Sequence, residues 1–177
     1  MNLFLATHND DESLWGAFTL MREHPLVFIV TDSWIQFNRG ENITADERWE
    51  ETIKAMVIVR CPVMRLAIRD DVLDEWSIKN KLSRFSGLET VYAPAIQGGN
   101  IQHDLVGKVA DELFGVKVKH YAAYTQTEPY TTGKEEIIPT EEELVLKEKM
   151  LDCYKTQLGN VNKIYFDAVK GKSEWYI

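Results

Sequence analysis

His8-Asn9-Asp10-Asp11-Glu12 puts one imidazole and a run of carboxyls directly after the apolar stretch Asn2 to Thr7. Such a turn can hold a metal ion and still spare a base. Neighbouring side chains in an extended turn point in different directions, so Asp10 and Asp11 would divide the work. His8 and one aspartate, joined by a histidine from elsewhere in the chain, make a three-ligand zinc site with a position open to water. The other aspartate is then left to take a proton from that water. Zinc lowers the pKa of bound water to roughly 7, so a carboxylate of ordinary basicity suffices as the base. The same carboxyls also suit the first turn of a helix, where they accept bonds from unpaired N–H groups and complement the dipole. On that plainer reading, Asp10, Asp11 and Glu12 only cap a helix over Ser13 to Arg22.

A second histidine separates the two readings. Glu89 to Ile96 reads as a strand, Gln97 to Gln102 as a loop with two glycines, and His103-Asp104 opens a helix with Leu105, Val106, Val109, Ala110 and Leu113 at helical spacing. Both polar clusters therefore occupy the turn between a strand and the following helix. In a parallel sheet all such turns gather on one edge, where open α/β folds bind their ligands, so clusters far apart in sequence can meet there.

With those residues in view, the chain resembles the PIG-L/LmbE-like deacetylases, zinc-dependent enzymes acting on N-acetylglucosamine derivatives. The family's first motif, A-H-P-D-D-E, is matched by Thr7-His8-Asn9-Asp10-Asp11-Glu12, and its second, H-x-x-H, by Asn100-Ile101-Gln102-His103. Arg48, Glu51 and Ala55 fit its R-x-x-E-x-x-x-A helix, and Asp70-Asp71 its acidic strand end. Lys147 to Gln157 and Glu174-Trp175-Tyr176 fit its C-terminal features. The resemblance implies His8, Asp11 and His103 as zinc ligands, Asp10 as general base, and Arg48 and Asp70 as substrate-binding residues. It implies that Glu12 holds the loop. A His₂-Asp set accepts iron(II) as well as zinc.

The chain departs from the pattern twice. Asn9 replaces a proline, which removes no chemical group. Asn100 stands where the family carries the first histidine of its second motif, a residue implied to stabilise the tetrahedral intermediate. An amide still donates to an oxyanion, but it carries no charge and passes on no proton. The expected function is therefore a metal-dependent hydrolase that removes an acetyl or small acyl group from an N-acylated amino sugar or its conjugate. The competing expectation is a sugar- or metabolite-binding member of the same fold with little or no turnover.

The elements that must position these residues alternate along the chain. Strands are expected at Leu3 to Thr7, Leu26 to Thr31, Val63 to Ile68, Val91 to Ala95 and Val116 to Tyr124. Helices are expected near Ser13 to Arg22, Ala45 to Val57, Leu73 to Phe85, His103 to Phe114 and Glu141 to Leu158, the last capped by Thr140. Continuous apolar runs such as Leu26 to Val30 suit strands covered on both faces. The alternation predicts an α/β chain folded as one domain over residues 1–177, a Rossmann-like three-layer sandwich with a mainly parallel sheet of about five strands. His24 and His120 read as structural. Two stretches, Trp34 to Asn42 and Thr125 to Gly133, read either as rims of the site or, more plainly, as a surface loop and a connector.

Composition narrows the partners. With 177 residues, 45% of them hydrophobic, the chain can bury one good core. Its net charge of −8 and lack of a basic cluster argue against nucleic acid. No apolar stretch approaches the ~20 residues that cross a bilayer, and no signal-like opening is present, so a cytoplasmic protein without a membrane partner is expected. A homo-oligomer is permitted. Cys61 and Cys153 suggest neither a disulfide framework nor a thiolate metal site.

Overall fold

The computed structural model describes residues 1–32, 43–158 and 162–177. Within them, strands β1 (Leu3–Ala6), β2 (Leu26–Thr31), β3 (Val63–Ile68), β4 (Val91–Pro94), β5 (Val118–Tyr121), β6 (Glu135–Ile137) and β7 (Glu174–Tyr176) form one seven-stranded sheet in the order β3-β2-β1-β4-β5-β7-β6. The first five pair in parallel, with Leu3 opposite both Leu26 and Val91. The α/β architecture is thus the expected one, with two strands more than expected. β7 runs antiparallel between β5 and β6, through Tyr121 opposite Tyr176 and Trp175 opposite Glu136.

The sheet sits between two helical layers. Alternate residues of β1 supply both cores: Phe4 and Ala6 face one, Leu3 and Leu5 the other. The first core is closed by α1 (Asp11–Trp15), α2 (Ala17–Glu23), α3 (Ala45–Val59), α6 (Glu141–Leu151) and α8 (Lys163–Val169), through Leu14, Leu20, Met56, Met150 and Phe166. The second is closed by α4 (Glu75–Leu82) and α5 (Ile101–Phe114), through Ile78, Leu82, Val106 and Val109.

The single helix expected over Ser13 to Arg22 is two, broken at Gly16. A Cβ there would lie 2.2 Å from the Phe4 ring, so glycine lets the chain pass close over β1. The helix expected over Glu141 to Leu158 is likewise two, α6 and the short α7 (Lys155–Leu158). Capping boxes start α3 at Thr44 with Glu47 and α6 at Thr140 with Glu143. Val116 and Lys117, expected as strand, fall in a 3₁₀ turn over Gly115–Lys117 ahead of β5. The rim stretch 34–42 lies outside the described residues. No helix among the described residues is long and apolar enough to cross a membrane.

The order β3-β2-β1-β4-β5 reverses direction between β1 and β4, because the chain crosses from β3 over to the far side of β1. At such a switch point the carboxyl ends of the two strands splay their loops apart and leave a crevice. β1 leads to His8 and β4 to His103.

Candidate metal centre

The turn after β1 is fixed by Thr31, whose backbone N–H and hydroxyl both donate to the Thr7 carbonyl, at 3.0 and 2.8 Å. From it the chain enters α1, and the Asp11 carboxylate folds back to accept the His8 backbone N–H at 2.8 Å. On the other side of the crevice, α5 begins just beyond Asn100, whose side-chain oxygen accepts the Gln102 N–H at 2.8 Å. One turn into that helix His103 points inward and is buried.

Three donor atoms meet there. His103 Nε2 lies 3.1 Å and His8 Nδ1 3.5 Å from Asp11 Oδ2, and the two ring nitrogens are 3.2 Å apart. For a tetrahedral ion bound at roughly 2.0–2.2 Å, neighbouring ligand atoms stand about 3.3–3.6 Å from one another. The triangle therefore fits such an ion without rearrangement. Burial alone would raise the Asp11 carboxyl, but the His103 and His8 rings hold it well below the usual carboxylate range. Burial lowers the His8 imidazole, and its bond and charge contact with Asp11, with help from Gln102 and Asp10, more than reverse this.

Gln102 orients His8. Its amide nitrogen donates to the Asp70 carbonyl at 2.7 Å, which turns its oxygen toward His8 Nε2, 2.6 Å away. That oxygen can only accept, so Nε2 carries the proton and Nδ1 presents its lone pair to the triangle. Asp70 thus enters the site through its backbone carbonyl.

Asp10 sits beside the triangle in an uncommon backbone conformation, φ 120°. It occupies the N-cap position of α1 yet makes no side-chain cap bond. Its carboxylate instead pairs with the Arg48 guanidinium at 2.9 Å, and Arg48 also donates to the Asn9 carbonyl. Burial pushes the Asp10 carboxyl up to about 7 against the pull of Arg48, with the charges of Asp11 and Glu12 adding to the rise. Arg48 is buried, and one terminal guanidinium nitrogen makes both of these bonds. Asn9 does more than replace a proline, since its amide donates to Thr52 on α3 at 2.9 Å. Glu12 is buried beneath the turn, accepting from the Asp10 backbone N–H, Ser13 and the Tyr154 hydroxyl. Glu51 accepts the backbone N–H and hydroxyl of Thr156 at 2.8 and 2.7 Å.

Two residues of the site carried no sequence signal of their own. Gln102 is an ordinary position inside the H-x-x-H spacing. Tyr124 closes the expected fifth strand, and its ring lies 5.2 Å from that of His103, 5.9 Å from Trp15 and 4.6 Å from Tyr165. The other histidines are tied down elsewhere. His24 contacts the Val59 carbonyl, and His120 the Pro94 carbonyl and Asp111. Cys61 and Cys153 are free thiols.

No family model and no curated protein matches the chain. Solved structures do. The zinc-inhibited form of teicoplanin deacetylase Orf2 superposes with a TM-score of 0.74 at 14% identity, over 99% of this chain and 97% of that one. The fold is that of this deacetylase. The A40926 pseudoaglycone deacetylase Dbv21 matches with a TM-score of 0.75 at 16% identity, over 98% and 94% of the two chains. GalB, the 4-carboxy-2-hydroxymuconate hydratase of Pseudomonas putida KT2440, matches with 0.67 at 13%, over 99% and 94%. One architecture thus carries both deacetylation and hydration, and only the site can say which chemistry a given chain performs.

Proposed function

We propose that this chain is a metal-dependent N-deacetylase of the PIG-L/LmbE-like kind, cleaving the amide of an N-acylated amino sugar or its conjugate. The observation that carries the reading is the donor triangle of His8, Asp11 and His103, whose 3.1–3.5 Å edges match a tetrahedral ion. The deacetylase neighbours support it, one of them being a zinc-inhibited form of teicoplanin deacetylase Orf2.

A zinc or iron(II) ion held by the three residues would supply Lewis acidity toward the substrate carbonyl and toward water. Gln102 keeps the His8 lone pair on the binding side. Asp10, held by Arg48, takes the proton of the attacking water. As the oxygen of that water bonds to the carbonyl carbon and the C–N bond breaks, Asp10 passes the proton to the departing amine. Asn100 would offer one amide hydrogen to the carbonyl oxygen, in a position where an imidazolium would offer a charge as well. Asp70, whose carbonyl holds Gln102, is proposed to bind the sugar.

The neutral Asn100 favours one competing reading, a binding protein that keeps metal and sugar without turnover. Elemental analysis of protein purified without chelators, beside Asp11→Ala and His103→Ala, comes first. About one equivalent of zinc or iron that falls in both variants is expected, followed by acetate release from N-acetylglucosamine. Absence of metal, with no uptake when it is supplied, overturns the proposal. Bound metal and bound sugar without acetate release select the binding protein.

A further inference from the structure

Tyr154 lies between α6 and α7, far from the crevice in sequence, and its ring is fully buried beside that of Phe166, at 6.2 Å. A buried phenol needs a partner for its hydroxyl. The hydroxyl donates to Glu12 Oε1, which also accepts from Ser13 at 3.0 Å. The other oxygen of the same carboxylate, Oε2, accepts the Asp10 backbone N–H at 3.1 Å. The connection between two distant helices thus reaches, through a single carboxylate, the backbone of the proposed base.

One peptide plane is held there from both sides. The Asn9 carbonyl accepts from Arg48, while the N–H of the same peptide donates to Glu12. On the other side of the Asp10 Cα, the Asp10 carbonyl accepts the Ser13 and Leu14 N–H groups, each at 2.9 Å. With both neighbouring peptides fixed, Asp10 is kept at φ 120°, a conformation that a non-glycine residue retains only where its surroundings impose it. Glu12 is itself fully buried, and its oxygen turned away from Asp10 is oriented by Ser13 and Tyr154.

We infer that Tyr154 is a positioning residue for the hydrolysis: through Glu12, its hydroxyl holds the peptide between Asn9 and Asp10 and so aims the Asp10 carboxylate at the attacking water. The role rests on the hydrolase reading above, with Asp10 as the base. Tyr154 acts through two other residues and takes no part in the proton transfer itself.

Tyr154→Phe keeps the ring in the core and deletes the donor. The substitution is made in the wild type and in Asp10→Asn, and acetate release from N-acetylglucosamine is followed in the zinc-loaded proteins. In the wild-type background kcat is expected to fall roughly ten- to hundredfold, the size typical of a partner one step removed from the reacting groups, with KM and zinc content unchanged. In the Asp10→Asn background, where no base is left to aim, the same substitution is expected to change the residual kcat by no more than about twofold. A residue that only supports the fold would cost the same factor in both backgrounds. That result overturns the inference, as does an unchanged kcat in the first background. Should Tyr154→Phe fail to fold, Glu12→Gln replaces it, because a single amide oxygen can serve Tyr154 or the Asp10 N–H but not both. A loss confined to the first background is again expected, and an equal loss in both overturns the inference. A wild type that takes up no zinc or releases no acetate overturns the hydrolase reading, and this inference with it.

Discussion

His8 Nε2 and Gln102 Oε1 stand 2.6 Å apart, across 94 residues of sequence. The contact decides which ring nitrogen of His8 faces Asp11 and His103. Partners of this kind typically contribute 10- to 100-fold to metal affinity. Gln102→Leu is therefore expected to weaken zinc binding by about that factor, read by competition with a chromophoric chelator. Gln102→Glu, which keeps an acceptor at the same reach, is expected to retain it. Equal affinities in wild type and Gln102→Leu would show that the triangle holds its ion without this support.

The pair Asp10–Arg48 gives the second prediction. Asparagine tolerates positive φ better than most residues, so Asp10→Asn should keep the turn intact. A lost general base costs about 10²–10⁴-fold in rate. Asp10→Asn should therefore lose acetate release by that factor while its zinc content stays at the wild-type level. Loss of metal together with activity would instead make Asp10 part of the binding set.

The sheet centre and the meeting of the two turns were legible because each rests on local pattern. Leu3 to Ala6 and Leu26 to Val30 are continuous apolar runs, and His8 and His103 both follow such runs. The edge was not legible. β7 is three residues of mixed polarity, Glu174–Tyr176, and becomes a strand only because β5 and β6 offer partners on either side. The break at Gly16 depends on where Phe4 lies, and α8 gives only the short helical stretch Lys163–Val169. The contacts of Gln102 with His8 and of Tyr124 with His103 are ones that no spacing encodes. The Lys147 and Glu174 features had a family precedent, but their meeting with each other had none.

That meeting gives a stability prediction. Lys147 Nζ and Glu174 Oε1 pair at 2.8 Å, both buried, and Glu174 also accepts the Phe18 N–H at 3.1 Å. The Lys147 ammonium lies 4.6 Å from the centre of the Phe18 ring. Removing one member of a buried pair strands the other, at about 3–5 kcal/mol. Lys147→Met is expected to lose that much in urea denaturation. The double variant Lys147→Met with Glu174→Gln, which leaves no lone charge and keeps an acceptor for Phe18, should recover most of it. A double variant no more stable than Lys147→Met would mean that packing of the lysine stem, and not the stranded carboxylate, sets the loss.

Acid stability is expected to depend on Glu143 at the start of α6. Arg22 donates to it through Nε and a terminal nitrogen at 2.7 and 2.8 Å, and the Thr140 N–H adds a third bond at 2.8 Å. The Arg22 bond, assisted by Thr140, holds the Glu143 carboxyl down to about 2 from its ordinary 4.5, against a smaller opposing effect of burial. A carboxyl whose pKa is lower in the folded chain binds protons more readily when unfolded, so its contribution is complete above about 4.5 and disappears as the pH falls toward 2. Screening at the partly exposed Arg22 reduces that contribution to roughly 1–2 kcal/mol. Wild type is thus expected to exceed Glu143→Gln by this amount in denaturant titrations at pH about 6, with the gap closing through the window in which the carboxyl takes up its proton. A gap independent of pH would assign the difference to helix capping by Glu143 rather than to its charge.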